Sequence, residues 1–314
     1  MLVDLEPEFV VQCIDWRNLR DALTEHEAVA ILQNARCNVA DRETQLRERG
    51  PKAYCTAGWL GLSDDEIVAT IEKLREQGFD SFKLKVGRDL DHDVKRIAFL
   101  RDAVGPECNL MVDANQYWGV PEAKQHLEQY RDFDLKWVEE PIARDDVLGY
   151  VDLAETFAEA TFGFACGEHA ASPVIFKQLL KSQAIKYCQI DATRVAGVND
   201  VMAIILMAAK FGIPVCPHGG GIALCNMIQH YSVWDQIAVS GTSDTQLVEY
   251  IDFLQEAVEH PVRTRDGHYV TPSAAGWGLE FIPTFIDQYR FPDGTAWRDR
   301  SPLRKGAAFE ATPS

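Results

Sequence analysis

Lys83 and Lys85 close a short apolar run two residues apart, so alternation along an extended chain puts both ammonium groups on one face and Leu84 on the other. Repulsion between them in a confined place lowers the pKa of at least one toward that of a working base, whereas the same spacing at a sheet edge makes an ordinary solvated pair. Three later apolar runs end in carboxylates: Asp113 in Val112-Asp113-Ala114-Asn115, Glu139 in Glu139-Glu140-Pro141, and Glu168 after Gly167. Three hard oxygen donors from successive strands suit Mg²⁺, which fills its other positions with water or substrate oxygens. Asp191 and His218 end the next two runs. Side by side, the carboxylate fixes the imidazole tautomer and raises its basicity. His218 stands in Pro217-His218-Gly219-Gly220-Gly221, a stretch too small-sided for core packing. Glu249, after the eighth strand, either faces the metal across the site or is a helix-surface carboxylate. His169 and Asn115 are further candidates for substrate contacts.

These residues need a frame that brings strand ends together. From about Ala53 the chain alternates short apolar runs with amphipathic segments, the rhythm of repeated βα units. Ser63-Asp64-Asp65-Glu66 forms a capping box ahead of Ile67, Ile71 and Leu74 at helical spacing, with Gly78 as a stop. Strands are predicted at Ala53–Thr56, Ser81–Val86, Asn109–Val112, Leu135–Val138, Phe162–Cys166, Tyr187–Ile190, Ile213–Cys216 and Ile237–Val239. Eight strands favour a closed parallel β/α barrel over an open sheet, and burial on both faces explains the continuous apolar runs. In such a barrel, polar residues at the C-terminal strand ends are the usual reactive positions. The barrel is assigned to residues 51–275. Residues 1–50 form a charged, partly helical segment (Thr24 opening Glu25–Gln33, then Asp41–Arg49), and residues 276–314 a proline-, glycine- and aromatic-rich tail. Neither flank reads as an independent domain.

Composition narrows the partners. Of 314 residues, 46% are hydrophobic and 25% charged, as in ordinary globular proteins, and the formal net charge is -17. Such a surface repels nucleic acid and anionic membrane, so a small anionic substrate needs a locally positive site. Eight cysteines are scattered without CxxC spacing, several inside strand-like runs, as expected of reduced core thiols in the cytoplasm. The residues after Met1 lack the basic start and apolar core of a secretory signal, and no apolar stretch is long enough for a membrane span.

The ordered set Phe82-Lys83-Leu84-Lys85-Val86-Gly87, Val112-Asp113-Ala114-Asn115-Gln116, Trp137-Val138-Glu139-Glu140-Pro141, Gly167-Glu168-His169, Ile190-Asp191-Ala192-Thr193-Arg194 and Pro217-His218-Gly219-Gly220 resembles the enolase superfamily. Within it the chain is most similar to the mandelate racemase-like branch and the L-fuconate dehydratase group, through Ile175–Leu180, Leu224-Cys225, Gln229-His230 and Glu249-Tyr250-Ile251-Asp252. The resemblance implies a modified enolase-type (β/α)8 barrel and a Mg²⁺-dependent hydro-lyase of carbohydrate catabolism. Its substrate is a small sugar acid, and a homo-oligomer is left open. It implies Asp113, Glu139 and Glu168 as Mg²⁺ ligands and Lys85 as the base removing the C2 proton. Lys83 would tune Lys85 and hold the substrate carboxylate, His218 oriented by Asp191 would release the C3 hydroxyl, and Glu249 would bond the enediolate edge. A racemase or cycloisomerase uses the same equipment. The family also carries an N-terminal capping domain, whereas this chain begins at Met1 in what should follow one. A truncated homologue, weak in turnover and with an apolar barrel rim, is therefore a further expectation. Ser172-Pro173, Tyr117 and Asn226 depart from the group's pattern.

Overall fold

Seven parallel strands curl into one sheet in the computed structural model, which describes residues 2–298: β1 (Ala53–Gly58), β2 (Ser81–Lys85), β3 (Asn109–Asp113), β4 (Leu135–Glu139), β5 (Gly163–Cys166), β6 (Tyr187–Cys188) and β7 (Val248–Glu249). Their order, β6-β5-β4-β3-β2-β1-β7, makes the first and last strands neighbours. Residues 213–217 fill the interval between β6 and β7. Val215 bridges Cys188 in parallel, the Cys216 N–H donates to the Cys188 carbonyl at 2.8 Å, and the Glu249 N–H donates to the Pro217 carbonyl at 3.2 Å. The sheet thereby closes into an eight-stave parallel barrel, as the βα rhythm requires.

Each long stave is followed by a helix that packs on its outer face. Asp64–Glu76 starts with the predicted capping box, Ser63 and Glu66 each serving the other's backbone N–H. Val198–Phe211 and Leu224–Ala238 are buried around most of their circumference. That burial overturns the expected strand at Ile237–Val239: Ile237 lies in the last turn of Leu224–Ala238, and the eighth stave is Val248–Glu249 instead. A helix enclosed on most sides has no polar stripe, so its final apolar turn looks like a strand.

Inside the barrel, Tyr54, Met111, Trp137, Ala165, Cys216 and Leu247, with Tyr187 beside them, form a separate apolar layer. Two residues further along each stave stand Thr56, Asp113, Glu139, Gly167, His218, Glu249 and Gln189. The period of two therefore stacks a polar layer on an apolar floor, toward the C-terminal ends of the strands. At the opposite end, the antiparallel pair Thr264–Arg265 and His268–Tyr269 is tied to the start of β1 by Ala53 N–H to Gly267 O (2.8 Å) and Tyr269 N–H to Pro51 O (2.9 Å). Gly267 has φ +69°, and a Cβ there would meet the Gly78 carbonyl oxygen at 2.3 Å, so only glycine fits.

The N-terminal helices lie on the outer helical layer. Glu25–Ala35, opened by Thr24 with its own capping box, packs on Val198–Phe211, and Asp21 and Glu27 pair with Lys177 (2.8 Å) and Lys210 (2.7 Å). The predicted Asp41–Arg49 helix is Val39–Glu48. After the barrel, Trp277 rests against His230 and Tyr231, at 5.1 and 5.3 Å between ring centroids. Residues 299–314 of the expected tail segment lie outside the described residues.

Asp235, on helix Leu224–Ala238, is buried against Gln246, whose Nε2 donates to it at 2.6 Å. Burial pushes this carboxyl from 3.8 up to about 7. An acid that binds its proton more tightly folded than unfolded makes stability fall as pH rises between those two values, and leaves it flat above them. Asp235→Asn should therefore raise the melting temperature more at pH 8 than at pH 4. A difference independent of pH would refute this account of the residue.

Candidate active site

Sheet register sets the first row of the site. Lys85 pairs with Asp113 across β2 and β3, and Asp113 with Glu139 across β3 and β4. Both lysines point into the barrel, so the solvated-edge reading does not hold. Lys83 is 1% exposed; its Nζ lies 2.7 Å from Glu139 Oε1, 2.9 Å from Glu249 Oε1 and 3.6 Å from Asp113 Oδ2. Lys85 stands one pleat nearer the opening, hydrogen-bonded to Asp113 Oδ2, with the Trp59 ring 5.4 Å from its Nζ.

These contacts reverse one expectation, that mutual repulsion lowers a lysine pKa. Burial does favour neutral Lys83, but Glu139 and Glu249 outweigh it and hold the ammonium well above its ordinary value. Lys85 is likewise raised, with Asp113 overcoming burial and the neighbouring Lys83. The carboxylates diverge. Burial opposes ionisation of Asp113, yet Lys85 and Lys83 keep it ionised well below the usual range. Burial and the Asp113 charge push Glu139 and Glu168 upward.

Asp113, Glu139 and Glu168 each offer an oxygen within 4.8 Å of the others. Glu168 Oε2 is buried and has no hydrogen-bond partner among the described residues. Three carboxylates with an oxygen to spare, two of them reluctant to ionise, suit a hard divalent cation. Opposite Lys85, His218 Nδ1 lies 3.0 Å from Asp191 Oδ2, and its Nε2 is 3.4 Å from Glu168 Oε2. Asp191 is fixed in turn by the Thr193 N–H (2.7 Å) and hydroxyl (2.6 Å). Burial lowers the His218 pKa, but the Asp191 hydrogen bond and the Glu249 and Glu168 charges raise it overall.

Glu249 is no helix-surface carboxylate. It ends β7 inside the barrel, accepts the Gly219 N–H at 2.8 Å as well as the Lys83 ion pair, and is held down to about 2, the ammonium of Lys83 overcoming burial. The Asn115 N–H donates to Asp113 Oδ1 at 2.8 Å. His169 lies beside Glu168, its Nδ1 3.1 Å from Glu168 Oε1. The structure thus gathers at one end of the barrel every residue that the sequence marks for chemistry.

The family description "Enolase C-terminal domain-like" matches residues 66–284. The chain belongs to the enolase superfamily. Human "Mitochondrial enolase superfamily member 1" is 39% identical over 97% of this chain and 69% of its own length, and its crystal structure superposes with a TM-score of 0.93 at 40% identity, covering 96% of this chain and 68% of that one. "L-galactonate dehydratase" of Hypocrea jecorina is 39% identical over 95% of this chain and 67% of its own. "L-Talarate dehydratase" from Polaromonas sp. JS666, solved with Mg and L-glucarate, has a TM-score of 0.66 at 27% identity, over 77% of this chain and 65% of that one. The chain spans about two thirds of the length of these enolase-superfamily relatives.

Several supports escaped the sequence reading. Gln189 Nε2 (2.7 Å) and Trp137 Nε1 (3.1 Å) both donate to Glu139 Oε2. Each sits two residues from an identified strand-end acid, so strict alternation would have found them. Asp93 and Arg96, buried one helical turn apart on Leu90–Val104, brace the loops on either side of Lys85. Asp93 Oδ2 accepts from the Gly87 (2.8 Å) and Arg88 (3.1 Å) N–H groups, and Arg96 Nη2 donates to the carbonyls of Trp59 (3.1 Å) and Gly58 (3.4 Å). No motif marks these two, because their partners are main-chain atoms, of the preceding loop for Asp93 and of the neighbouring βα unit for Arg96. Four exposed apolar side chains, Leu60, Tyr117, Ile222 and Phe253, follow strand ends around the opening.

Arg96→Met keeps most of the apolar stem but removes the donors to these carbonyls. Charged hydrogen bonds of this kind contribute about 1.5–3 kcal/mol. Urea unfolding should show a loss of about that size; an unchanged midpoint would show that the carbonyls are served otherwise.

Proposed function

We propose that this enolase-superfamily chain is a Mg²⁺-dependent sugar-acid dehydratase of the L-fuconate type. The observation that carries the reading is Lys85 on Asp113, at one end of the Asp113–Glu139–Glu168 row, with His218 beside Glu168 at the other. The human relative is named only for its superfamily, but two others are named as dehydratases of L-galactonate and L-talarate, which supports the same class of reaction for this chain.

Bound at the three carboxylates, Mg²⁺ would supply positive charge to the substrate carboxylate and offset the negative charge that now raises the lysine pKa values. Lys85 is the C2 base. It reaches the opening, whereas Lys83 is enclosed by Glu139, Glu249 and Asp113 and acts through its charge. As the C2–H electron pair moves into the C2–C3 bond, the C3–O bond breaks. Protonated His218, held by Asp191, gives the leaving hydroxyl its proton, so that water departs. The enol left behind tautomerises to a 2-keto-3-deoxy acid. Glu249 lies 3.8 Å from His218 Nε2 and keeps negative charge beside the imidazolium. His169 and Asn115 remain the candidates for contacts to the sugar hydroxyls.

Beside His218 lies a cleft of about 400 Å³, lined by Asp191, Thr193, Arg194, His218, Gly220, Gly221, Ile222 and Leu224. It has room for the tail of a six-carbon acid.

The purified chain, assayed with Mg²⁺ across a panel of sugar acids, should form 2-keto-3-deoxy products and prefer the 6-deoxy acid. EDTA should abolish this activity. Formation of only a C2 epimer would assign the chain to racemisation, and a panel without turnover would sink the dehydratase reading. Lys85→Ala should eliminate solvent-deuterium exchange at C2; retained exchange would remove Lys85 from its role.

A further inference from the structure

Glu139 is followed by a second carboxylate, and the chain does not let it point away. Glu140 has φ +36°, a left-handed conformation that a side-chain-bearing residue seldom adopts, and it is completely buried. Its Oε2 accepts from Gln116 Nε2 and from His169 Nδ1, each at 2.9 Å. Gln116 also has positive φ (+63°); its N–H donates to the Glu140 carbonyl at 2.7 Å and its Oε1 accepts the Arg144 N–H at 3.1 Å. Two unfavourable backbone conformations and three loops are thus spent on fixing one carboxylate against one imidazole.

That imidazole leads to Glu168. His169 Nδ1 lies between two acceptors, Glu140 Oε2 and, 3.1 Å away, Glu168 Oε1. With a carboxylate oxygen on either side, Nδ1 is the nitrogen that carries the hydrogen and Nε2 is left for other contacts. The two oxygens of Glu168 consequently differ: Oε1 is held by the His169 ring, while Oε2 is buried, accepts no hydrogen bond among the described residues and has His218 Nε2 3.4 Å away.

We propose that Glu140 and His169 are positioning residues of the cation site: Glu140 sets the His169 ring, and the ring holds Glu168 so that one of its oxygens stays free for the ion. This rests on the reading of Asp113, Glu139 and Glu168 as ligands. Glu140, Glu168 and His169 also bring three ligand atoms within 4.8 Å. A second ion there would have to displace the Nδ1 hydrogen that both carboxylates share, so the trio is assigned to support and not to ligation.

Mn²⁺ serves as the probe, with binding to the full chain followed by calorimetry and by the EPR signal of free ion. His169→Leu should weaken Mn²⁺ binding about 10- to 100-fold, the range found when such supporting partners are removed. His169→Asn, whose Nδ2 can take the place of Nδ1, should recover most of that loss. Glu140→Gln should weaken binding, and the double variant Glu140→Gln/His169→Leu should bind no worse than His169→Leu alone, because the two act in series. A merely structural role would lower the number of sites per chain or the melting temperature and leave the Kd of the remaining sites unchanged. The proposal is overturned by a wild-type Kd in His169→Leu, by fully additive losses, or by two Mn²⁺ ions per wild-type chain. A wild-type chain that binds no Mn²⁺ would instead overturn the ligand reading on which it rests.

Discussion

One buried ammonium sets the terms for the whole interior. Lys83 is closed off from solvent in the middle of the barrel, with Glu139, Glu249 and Asp113 around it. Carboxylates from three strands cannot share so small a low-dielectric space unless a cation stands among them, and a lysine cannot remain charged there without them. Removing Lys83 would leave these carboxylates facing one another without a cation, so the cluster ties β2, β3, β4 and β7 together in addition to their backbone pairing. The apolar floor of Tyr54, Met111 and Trp137 excludes water from below and strengthens each of these attractions.

Geometry then divides the labour. The in-register row Lys85–Asp113–Glu139 comes from three five-residue strands, whose ladders leave little freedom in the spacing of those side chains. Each acid is further held by a donor from outside the row: Asn115 for Asp113, Gln189 and Trp137 for Glu139. The arrangement is the usual one for ions in proteins, in which a few ligands are oriented by a larger number of less conspicuous neighbours.

Most of the frame and the strand-end residues were legible because period-two alternation and βα spacing are local signals. Lys83, Asp113, Glu139, Glu168, Asp191 and His218 each follow an apolar run, and the barrel topology converts that shared position in sequence into a shared position in space. Three kinds of information were not local. The eighth stave was misplaced because helix Leu224–Ala238 is buried on most sides and its last turn imitates a strand. The lysine pKa values were assigned the wrong direction because the lysine–lysine repulsion is visible in the sequence, whereas the carboxylates that outweigh it arrive from other strands. Asp93 and Arg96 passed unnoticed because they bond to main chain, which carries no residue-type signature.

The staves are unequal, and the inequality runs through the site. Lys85, Asp113 and Glu139 end strands of five residues, whereas Asp191 and His218 follow a two-residue strand and a single bridge at Val215. The Asp191–His218 side has shorter ladders, among them Cys188 N–H to Pro214 O (2.9 Å), Cys216 N–H to Cys188 O (2.8 Å) and His218 N–H to Ile190 O (3.1 Å), and is held as well by side-chain packing from Val198–Phe211 and Leu224–Ala238. Packing tolerates volume-conserving exchange, whereas a ladder slips only in whole residues that reverse inside and outside. The longer ladders therefore hold the carboxylate wall more tightly in register than the histidine wall. Side-chain exchange on the histidine wall is accordingly the easier way to reshape the barrel mouth, because the longer ladders keep the carboxylate wall in register.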